Sequence, residues 1–238
     1  MSELASHRPA GGVTVVTCTN RPHTAEQILG NFLRQNYIPR ELIIVLNNNA
    51  MNLQQWQERV SAHANIRIFQ LDESRSLGEC LNLAVDQASY EVIAKCDDDD
   101  YYGPGYLAEQ MAALDYSRAE IVGKGAFYLY FEESHTLALF RPERESKFVS
   151  YVTGATLVVR RRVFEQVRFA SRNAGEDVDF LAECRYKHFK IYSTSRDNFV
   201  GIRRRDVQTH TWQEDEEVIL NFCQVIGQTD DYMSIANR

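Results

Sequence analysis

The chain has 238 residues, of which 44% are hydrophobic, 11% aromatic and 25% charged, with a formal net charge of −7. These proportions are typical of a folded protein and exclude a disordered or collagen-like chain. The acidic balance disfavours general nucleic-acid binding, which relies on a basic surface.

The N-terminal residues and the cysteines indicate the compartment in which the protein is expected. No apolar run approaches the length of a membrane span, and residues 1–12 lack the apolar core of a signal peptide. The five cysteines are scattered and form no CxxC pair, so they indicate reduced thiols, with neither a zinc site nor a disulfide framework. We therefore predict a soluble protein of the cytoplasm.

The first half of the chain alternates predicted strands with predicted helices. The strands are Val13–Cys18, Leu42–Leu46, Ile66–Phe69 and Val92–Ala94. Apolar residues at helical spacing lie between them, after Thr24, from Leu53 to Val60 and from Leu77 to Ala88. This alternation predicts right-handed crossovers and a parallel sheet covered by helices.

The second half is less regular. Phe127–Phe131 and Thr136–Phe140 are predicted to form a hairpin, with further short strands at Thr156–Val159 and Phe199–Arg203. Helices are predicted within Gly175–His188 and over Glu214–Val225. Since no repeat and no clear linker separates the halves, we predict one compact α/β domain.

Four aspartates, residues 97–100, follow the fourth predicted strand. In an extended segment residues i and i+2 point the same way, so Asp97 and Asp99 are expected to converge. Converging carboxylates suit Mg²⁺ or Mn²⁺, and open α/β sheets bind ligands beyond the carboxyl ends of their strands. The alternative interpretation is a solvated acidic turn.

Other motifs stand in a definite order around these aspartates. They are Val13–Pro22, Glu41–Asn49, Asn82, Pro104, Thr153–Thr156 and Gly175–Asp177. Together they resemble the family 2 glycosyltransferases over about Val13–Trp212. The resemblance implies a GT-A, Rossmann-like single domain with a mainly parallel central sheet flanked by helices and a smaller irregular C-terminal acceptor part. Within residues 1–238 it implies a nucleotide-sugar half at about 12–115, an acceptor and catalytic half at about 116–212, and a C-terminal helix and tail at 213–238.

The resemblance also implies the binding residues. Those that would contact the nucleotide sugar are Thr17, Cys18, Thr19, Asn20, Arg21, Asn47, Arg75, Asn82, Asp97, Asp98 and Gly154. Those that would hold Mn²⁺ or Mg²⁺ are Asp97, Asp99 and His210, although a lone histidine is more often structural. The chain departs from the family at Leu46 and Asn47, where acidic residues are usual. An asparagine can both accept and donate a hydrogen bond. The family's basic residue before the helix asparagine is Leu81 here, and Arg75 in the preceding loop is expected to take its role.

The pair Glu176 and Asp177 resembles the family's catalytic Glu-Asp motif. Asp177 would act as the general base on the acceptor hydroxyl, and Glu176 would orient it or contact the acceptor. The alternative is that both residues favour a helix N-terminus through its dipole.

The sequence therefore predicts a metal-dependent, inverting glycosyltransferase that moves a sugar from a UDP-linked donor to an acceptor hydroxyl. A nucleotidyltransferase and a non-catalytic nucleotide-sugar-binding protein are the alternatives, but Thr19–Pro22 lacks the glycines of a triphosphate loop. The acceptor is left open among a saccharide, as in polysaccharide biosynthesis, a lipid-linked sugar and a protein. A lipid-linked acceptor would require peripheral membrane association, and a homodimer is also left open. Glu143–Lys147 and Arg203–Thr211 are candidate lids over the donor.

Overall fold

The computed structural model describes residues 11–205 and 214–237. The strands are β1 (Val13–Thr19), β2 (Arg40–Leu46), β3 (Ile66–Gln70), β4 (Val92–Lys95), β5 (Tyr101–Tyr102), β6 (Ile121–Gly123), β7 (Phe127–Phe131), β8 (Thr136–Phe140), β9 (Lys147–Phe148), β10 (Val158–Arg160), β11 (Ile191–Ser193), β12 (Phe199–Arg203) and β13 (Cys223–Gln228). The helices are α1 (Ala25–Leu33), α2 (Leu53–Arg59), α3 (Leu77–Gln87), α4 (Tyr106–Ser117), α5 (Glu176–Tyr186), α6 (Glu216–Leu220) and α7 (Tyr232–Ala236).

The larger sheet has the strand order β3-β2-β1-β4-β10-β6-β11-β9. The four strands from β3 to β4 are parallel, as the alternation of strands and helices predicts. β10 runs antiparallel to both of its neighbours, and β6 and β11 pair in parallel. The predicted α/β fold, with a mainly parallel central sheet flanked by helices, is confirmed.

Both faces of this sheet are covered. Within β2, Ile44 belongs to one apolar cluster, which includes α1, whereas Ile43 and Val45 belong to the other, which includes α3 and α5. All residues from Leu42 to Leu46 are at most 1% exposed. A continuous apolar run is what such a doubly covered parallel strand requires.

A second sheet has the order β13-β8-β7-β12-β5. The predicted hairpin is present, with Phe127 opposite Phe140 and Phe131 opposite Thr136. β12 runs parallel to β7, and Asp100 anchors it to the end of β4 because its carboxylate accepts the backbone N–H of Ile202 at 2.9 Å. The second sheet therefore stands beside the carboxyl end of β4.

The prediction of one helix over Glu214–Val225 is wrong. α6 ends at Leu220, and the chain then forms β13, which pairs antiparallel with β8. Without β13 the outer edge of β8 would present unpaired backbone groups, so pairing there satisfies the hydrogen bonds of both strands. Similarly, Gly154–Thr156 forms a short 3-10 turn, and the strand predicted from Thr156 begins at Val158.

Candidate functional site

A cleft of about 740 Å³ lies where β1, β2 and β4 end. These strands are parallel neighbours, so their carboxyl ends meet at one edge of the sheet. The predicted site residues that line this cleft are Cys18, Thr19, Asn20, Arg21, Asn47, Asp97, Asp98, Asp99, Gly154, Glu176 and Asp177. The fold thus brings together segments that are far apart in the sequence.

Three other predicted residues do not line the cleft. Thr17 is buried within β1. Arg75 pairs with Glu79 at 2.8 Å, at the start of α3. The side-chain amide of Asn82 donates to the carbonyl of Phe169 at 2.9 Å and accepts its N–H at 3.1 Å, so both of its ends bind neighbouring backbone. His210 and residues 206–211 of the second candidate lid lie outside the described residues.

Asp98 and Asp99 both form an ion pair with the guanidinium of Arg21. Nη1 of Arg21 lies 3.1 Å from Oδ1 of Asp98 and 2.7 Å from Oδ2 of Asp99. Thr19 donates its hydroxyl to the other oxygen of Asp98 at 2.5 Å, and Arg204 approaches Asp99 at 3.6 Å. Burial, followed by the charge of Asp99, raises the pKa of Asp98 above its ordinary value although Thr19 and Arg21 oppose the shift.

The expected convergence of Asp97 and Asp99 is wrong. β4 ends at Lys95, and residues 98–100 form a bend, so the alternation of an extended strand no longer applies. The carboxylate of Asp97 instead faces Nζ of Lys95 at 2.5 Å. The pair that converges is therefore Asp98 and Asp99.

Lys95 is a residue of the site that the sequence reasoning missed. It is 5% exposed and lines the cleft. Burial alone would lower its pKa, but Asp97, Glu176 and Asp177 outweigh burial and raise it. A lysine at the end of an otherwise apolar strand, two residues before the first aspartate of an acidic run, was the available signal. This buried cation links the aspartate cluster to the carboxylates of α5.

Glu176 and Asp177 begin α5, directly after Gly175, whose φ of +76° is the left-handed conformation that glycine adopts without strain. The hydroxyl of Tyr151 donates to Oδ2 of Asp177 at 3.1 Å. Asp177 packs directly against Gly154, where a Cβ would lie 2.6 Å from Cγ of Asp177. Burial raises the pKa of Glu176 although Lys95 opposes the shift. Both carboxylates line the cleft, whereas a role confined to the helix dipole would not require that position.

Asn47 occupies the end of β2 beside the loop after β1. Its backbone N–H donates to the carbonyl of Thr19 at 2.8 Å, and its side-chain N–H donates to the carbonyl of Asp72 at 2.9 Å. The amide oxygen of Asn47 is consequently the atom that can accept from a ligand in the cleft.

Arginines that the sequence analysis did not name as binding residues also line the cleft, although two of them fall in its candidate lids. Arg141, Arg144 and Arg203, from the second sheet and its connections, line it, whereas the acidic residues come from the ends of β4 and α5. Arg144 belongs to the candidate lid at Glu143–Lys147. These arginines add to Arg21 and Lys95, which contact the aspartates of the cleft directly.

The carboxylates at this edge of the sheet can be compared with the ligands that a divalent cation requires. Among residues 11–205 and 214–237, no group of three or more His, Cys, Asp or Glu side chains is arranged to hold a metal ion. Asp98 and Asp99 nevertheless direct one oxygen each to a single cationic nitrogen of Arg21. Mg²⁺ is commonly held by one or two carboxylates, with water and substrate phosphates completing its shell, so this pair fits such an ion.

Residues 14–168 match the family Glycosyl transferase family 2, and the chain belongs to this family. It is 28% identical over 102 residues to poly-beta-1,6-N-acetyl-D-glucosamine synthase of Staphylococcus aureus, covering 41% of this chain and 25% of that protein. It is 30% identical over 123 residues to the uncharacterized glycosyltransferase YwdF of Bacillus subtilis, covering 52% and 44% respectively. The matched segments span less than half of these relatives.

Solved structures show the same GT-A fold. S. aureus TarS 1-349 in complex with UDP-GlcNAc has a TM-score of 0.67 at 16% identity, covering 82% of this chain and 59% of that one. The mannosyltransferase PcManGT of Pyrobaculum calidifontis, in complex with GDP-Man and Mn²⁺, has a TM-score of 0.58 at 20% identity, covering 83% and 57%. Among the described parts of this chain, no helix has the length and apolar character needed to cross a bilayer.

Proposed function

We propose that the chain transfers a sugar from a UDP-linked donor to an acceptor hydroxyl, with Asp98 and Asp99 holding a divalent cation and Asp177 acting as the general base. The observation that carries the proposal is that one cleft contains both parts. A carboxylate pair converges on a cation at one strand end, and a separate carboxylate is fixed at the start of α5.

The donor half is formed by the ends of β1, β2 and β4. The TarS complex, with a TM-score of 0.67, contains UDP-GlcNAc, and we take this as support for a uridine donor. The amide oxygen of Asn47 provides an acceptor for the N–H of a uracil ring, as a carboxylate would. The divalent cation, when bound, supplies Lewis-acid stabilisation of the negative charge that grows on the leaving diphosphate. Asp98 and Asp99 are the residues that would hold it, and Asp97 is the residue that Lys95 neutralises.

The acceptor half contains Asp177. Tyr151 and Gly154 fix its carboxylate from two sides, and the buried Lys95 adds a positive charge nearby. A general base of this kind removes the proton from the acceptor hydroxyl as that oxygen attacks the anomeric carbon. We propose a single displacement with inversion, with Glu176 positioning Asp177 and the segment Glu143–Lys147 helping to exclude water. Residues 116–212 would form this half, and residues 12–115 the donor half.

A screen of nucleotide sugars tests the proposal directly. The chain is incubated with Mn²⁺ and each donor, with and without saccharide, lipid-linked and protein acceptors, and release of nucleoside diphosphate is measured. Asp177→Asn is the control, since it should bind donor but transfer the sugar much more slowly. Acceptor-dependent release of UDP supports the proposal. In a parallel incubation with a nucleoside triphosphate and a sugar phosphate, release of pyrophosphate would favour a nucleotidyltransferase instead. Binding without turnover in every combination would favour a non-catalytic protein.

A further inference from the structure

The positively charged guanidinium of Arg21 holds the pair Asp98 and Asp99 in the donor half. The side chains of Asp98 and Asp99 are 9% and 15% exposed, and one nitrogen of Arg21 contacts both. Neighbouring carboxylates in a partly buried corner repel each other unless a positive charge lies between them. Arg21 therefore supplies the counter-charge at the position that a divalent cation would use.

The backbone of Arg21 is fixed independently of its guanidinium. Its N–H donates to the hydroxyl oxygen of Thr19 at 3.0 Å, and its carbonyl accepts from the hydroxyl of Thr24 at 3.0 Å. The side chain itself is 25% exposed and is long and flexible. The guanidinium can thus change partners while the loop after β1 keeps its position.

We propose that Arg21 competes with the divalent cation for Asp98 and Asp99, and that it moves to the donor diphosphate when the cation and donor bind together. This inference rests on the proposed function, because it requires that both ligands occupy the same cleft. Once a doubly charged cation neutralises the two carboxylates, Arg21 loses its ion pairs with Asp98 and Asp99. The diphosphate then offers new ones, since the planar guanidinium fits phosphate oxygens through two parallel hydrogen bonds.

This exchange lowers the affinity for a cation that binds alone, but it makes the cation and the diphosphate strengthen each other's binding. A cation arriving alone must break two charge-assisted hydrogen bonds. Its apparent association constant is therefore the intrinsic constant multiplied by the fraction of molecules in which Arg21 has moved away. A cation arriving with the diphosphate leaves Arg21 paired. Each ligand must then strengthen the binding of the other, by the same factor.

Calorimetry on the full chain tests the exchange. Mn²⁺ is titrated without nucleotide, and UDP is titrated at saturating Mn²⁺, for the wild type and for Arg21→Gln. We expect Arg21→Gln to bind Mn²⁺ about tenfold or more tightly, because the competing charge is gone. The same variant should bind UDP about tenfold or more weakly, because a ligand to the diphosphate is lost.

Matched variants control for charge and folding. Arg59→Gln removes an exposed arginine that pairs with Glu26 at 3.5 Å, outside the cleft, and should behave as the wild type in both titrations. Asp99→Asn removes one of the two carboxylates proposed to hold the cation and should bind Mn²⁺ more weakly than the wild type. If Arg21→Gln fails to fold, the guanidinium N–H resonance of Arg21 in the wild-type chain replaces it, and this resonance should shift when Mg²⁺ and UDP are added together.

The outcomes separate this inference from the proposed function. Unchanged or weaker Mn²⁺ binding by folded Arg21→Gln overturns the exchange, even if UDP binding falls, because Arg21 would then be a simple diphosphate ligand. An unshifted resonance overturns it equally. If neither the wild type nor any variant binds Mn²⁺, with or without UDP, the metal dependence in the proposed function fails as well.

Discussion

The carboxylate of Asp177 packs against Gly154 so closely that a Cβ at residue 154 would lie 2.6 Å from Cγ of Asp177 and closer still to Oδ2. Any larger residue at position 154 would clash with the carboxylate of Asp177, so the position requires glycine. This contact and the hydrogen bond from Tyr151 give Asp177 one position at the start of α5.

Gly154→Ala should reduce transfer without unfolding the chain. The added methyl group must displace Asp177, and misplacing a catalytic group by about 1 Å can cost about 100-fold in rate. Affinity for UDP with Mn²⁺ should stay near the wild-type value. Turnover and calorimetry measure the two effects. Gly30→Ala is the control, since a Cβ there would meet only the end of the Arg34 side chain, at 3.3 Å. Wild-type turnover by Gly154→Ala would show that this packing does not position the base.

Lys95→Met should destabilise the fold. Removing one member of a buried ion pair leaves the other charge uncompensated, and we expect a loss of about 3 kcal/mol, at the low end of the usual range because Asp97 is 38% exposed. The matched control is Lys187→Met, which removes a lysine 4.0 Å from Glu183 on the surface of α5 and should cost less than about 0.5 kcal/mol. Denaturant unfolding compares them, and equal effects would contradict the role assigned to Lys95.

Stability should fall with rising pH through the titration of Glu176. Burial raises the pKa of this carboxyl in the folded state, whereas the unfolded value is about 4.3. The folded state thus binds more protons between these two values, and the free energy of unfolding decreases as pH rises through that window. Glu176→Gln removes this contribution and should flatten the profile above about pH 4.3. Thermal unfolding across pH 4–8 measures it, and parallel profiles for both proteins would contradict the assignment.

Asn47 should contribute to the choice of base. Asn47→Ala removes the amide oxygen that we propose accepts from uracil, and a lost neutral hydrogen bond weakens binding by about 1 kcal/mol. Thermal-shift measurements with UDP and GDP at saturating Mn²⁺ compare the variant with the wild type. We expect UDP to stabilise the wild type more than GDP does, and the variant to lose part of that difference. Greater stabilisation by GDP in the wild type would overturn the uridine preference.

The sequence predicted the parallel half of the fold and the edge at which the cleft lies. Both can be recognised from neighbouring residues alone. The apolar run Leu42–Leu46 indicates a buried strand, and the aspartates at residues 97–100 follow another one. The partners of each aspartate could not be predicted in the same way. Asp98 meets Arg21 across 77 residues, and the bend after β4 sets which side chains converge.

Long-range contacts, which a local pattern does not show, account for the differences between the sequence analysis and the structure. β13 forms because β8 offers an edge, although the residues from Glu214 to Val225 suit a helix by themselves. Asn82 matched a family position, yet in this chain both ends of its amide bind the backbone of Phe169. The importance of Lys95 follows from α5, which lies about 80 residues further along the chain.

The rate of sugar transfer by Asp177→Asn tests the central claim most directly. The substitution keeps the size of the side chain but removes its basicity, and general-base assistance is typically worth about 10²–10⁴-fold in rate. We expect turnover with the acceptor found by the screen to fall within that range, while the affinity for UDP with Mn²⁺ stays within about twofold because Asp177 acts on the acceptor. Near wild-type turnover would contradict the account and leave Asp177 as a residue that only favours the start of α5, with an effect on stability of about 0.3–1 kcal/mol.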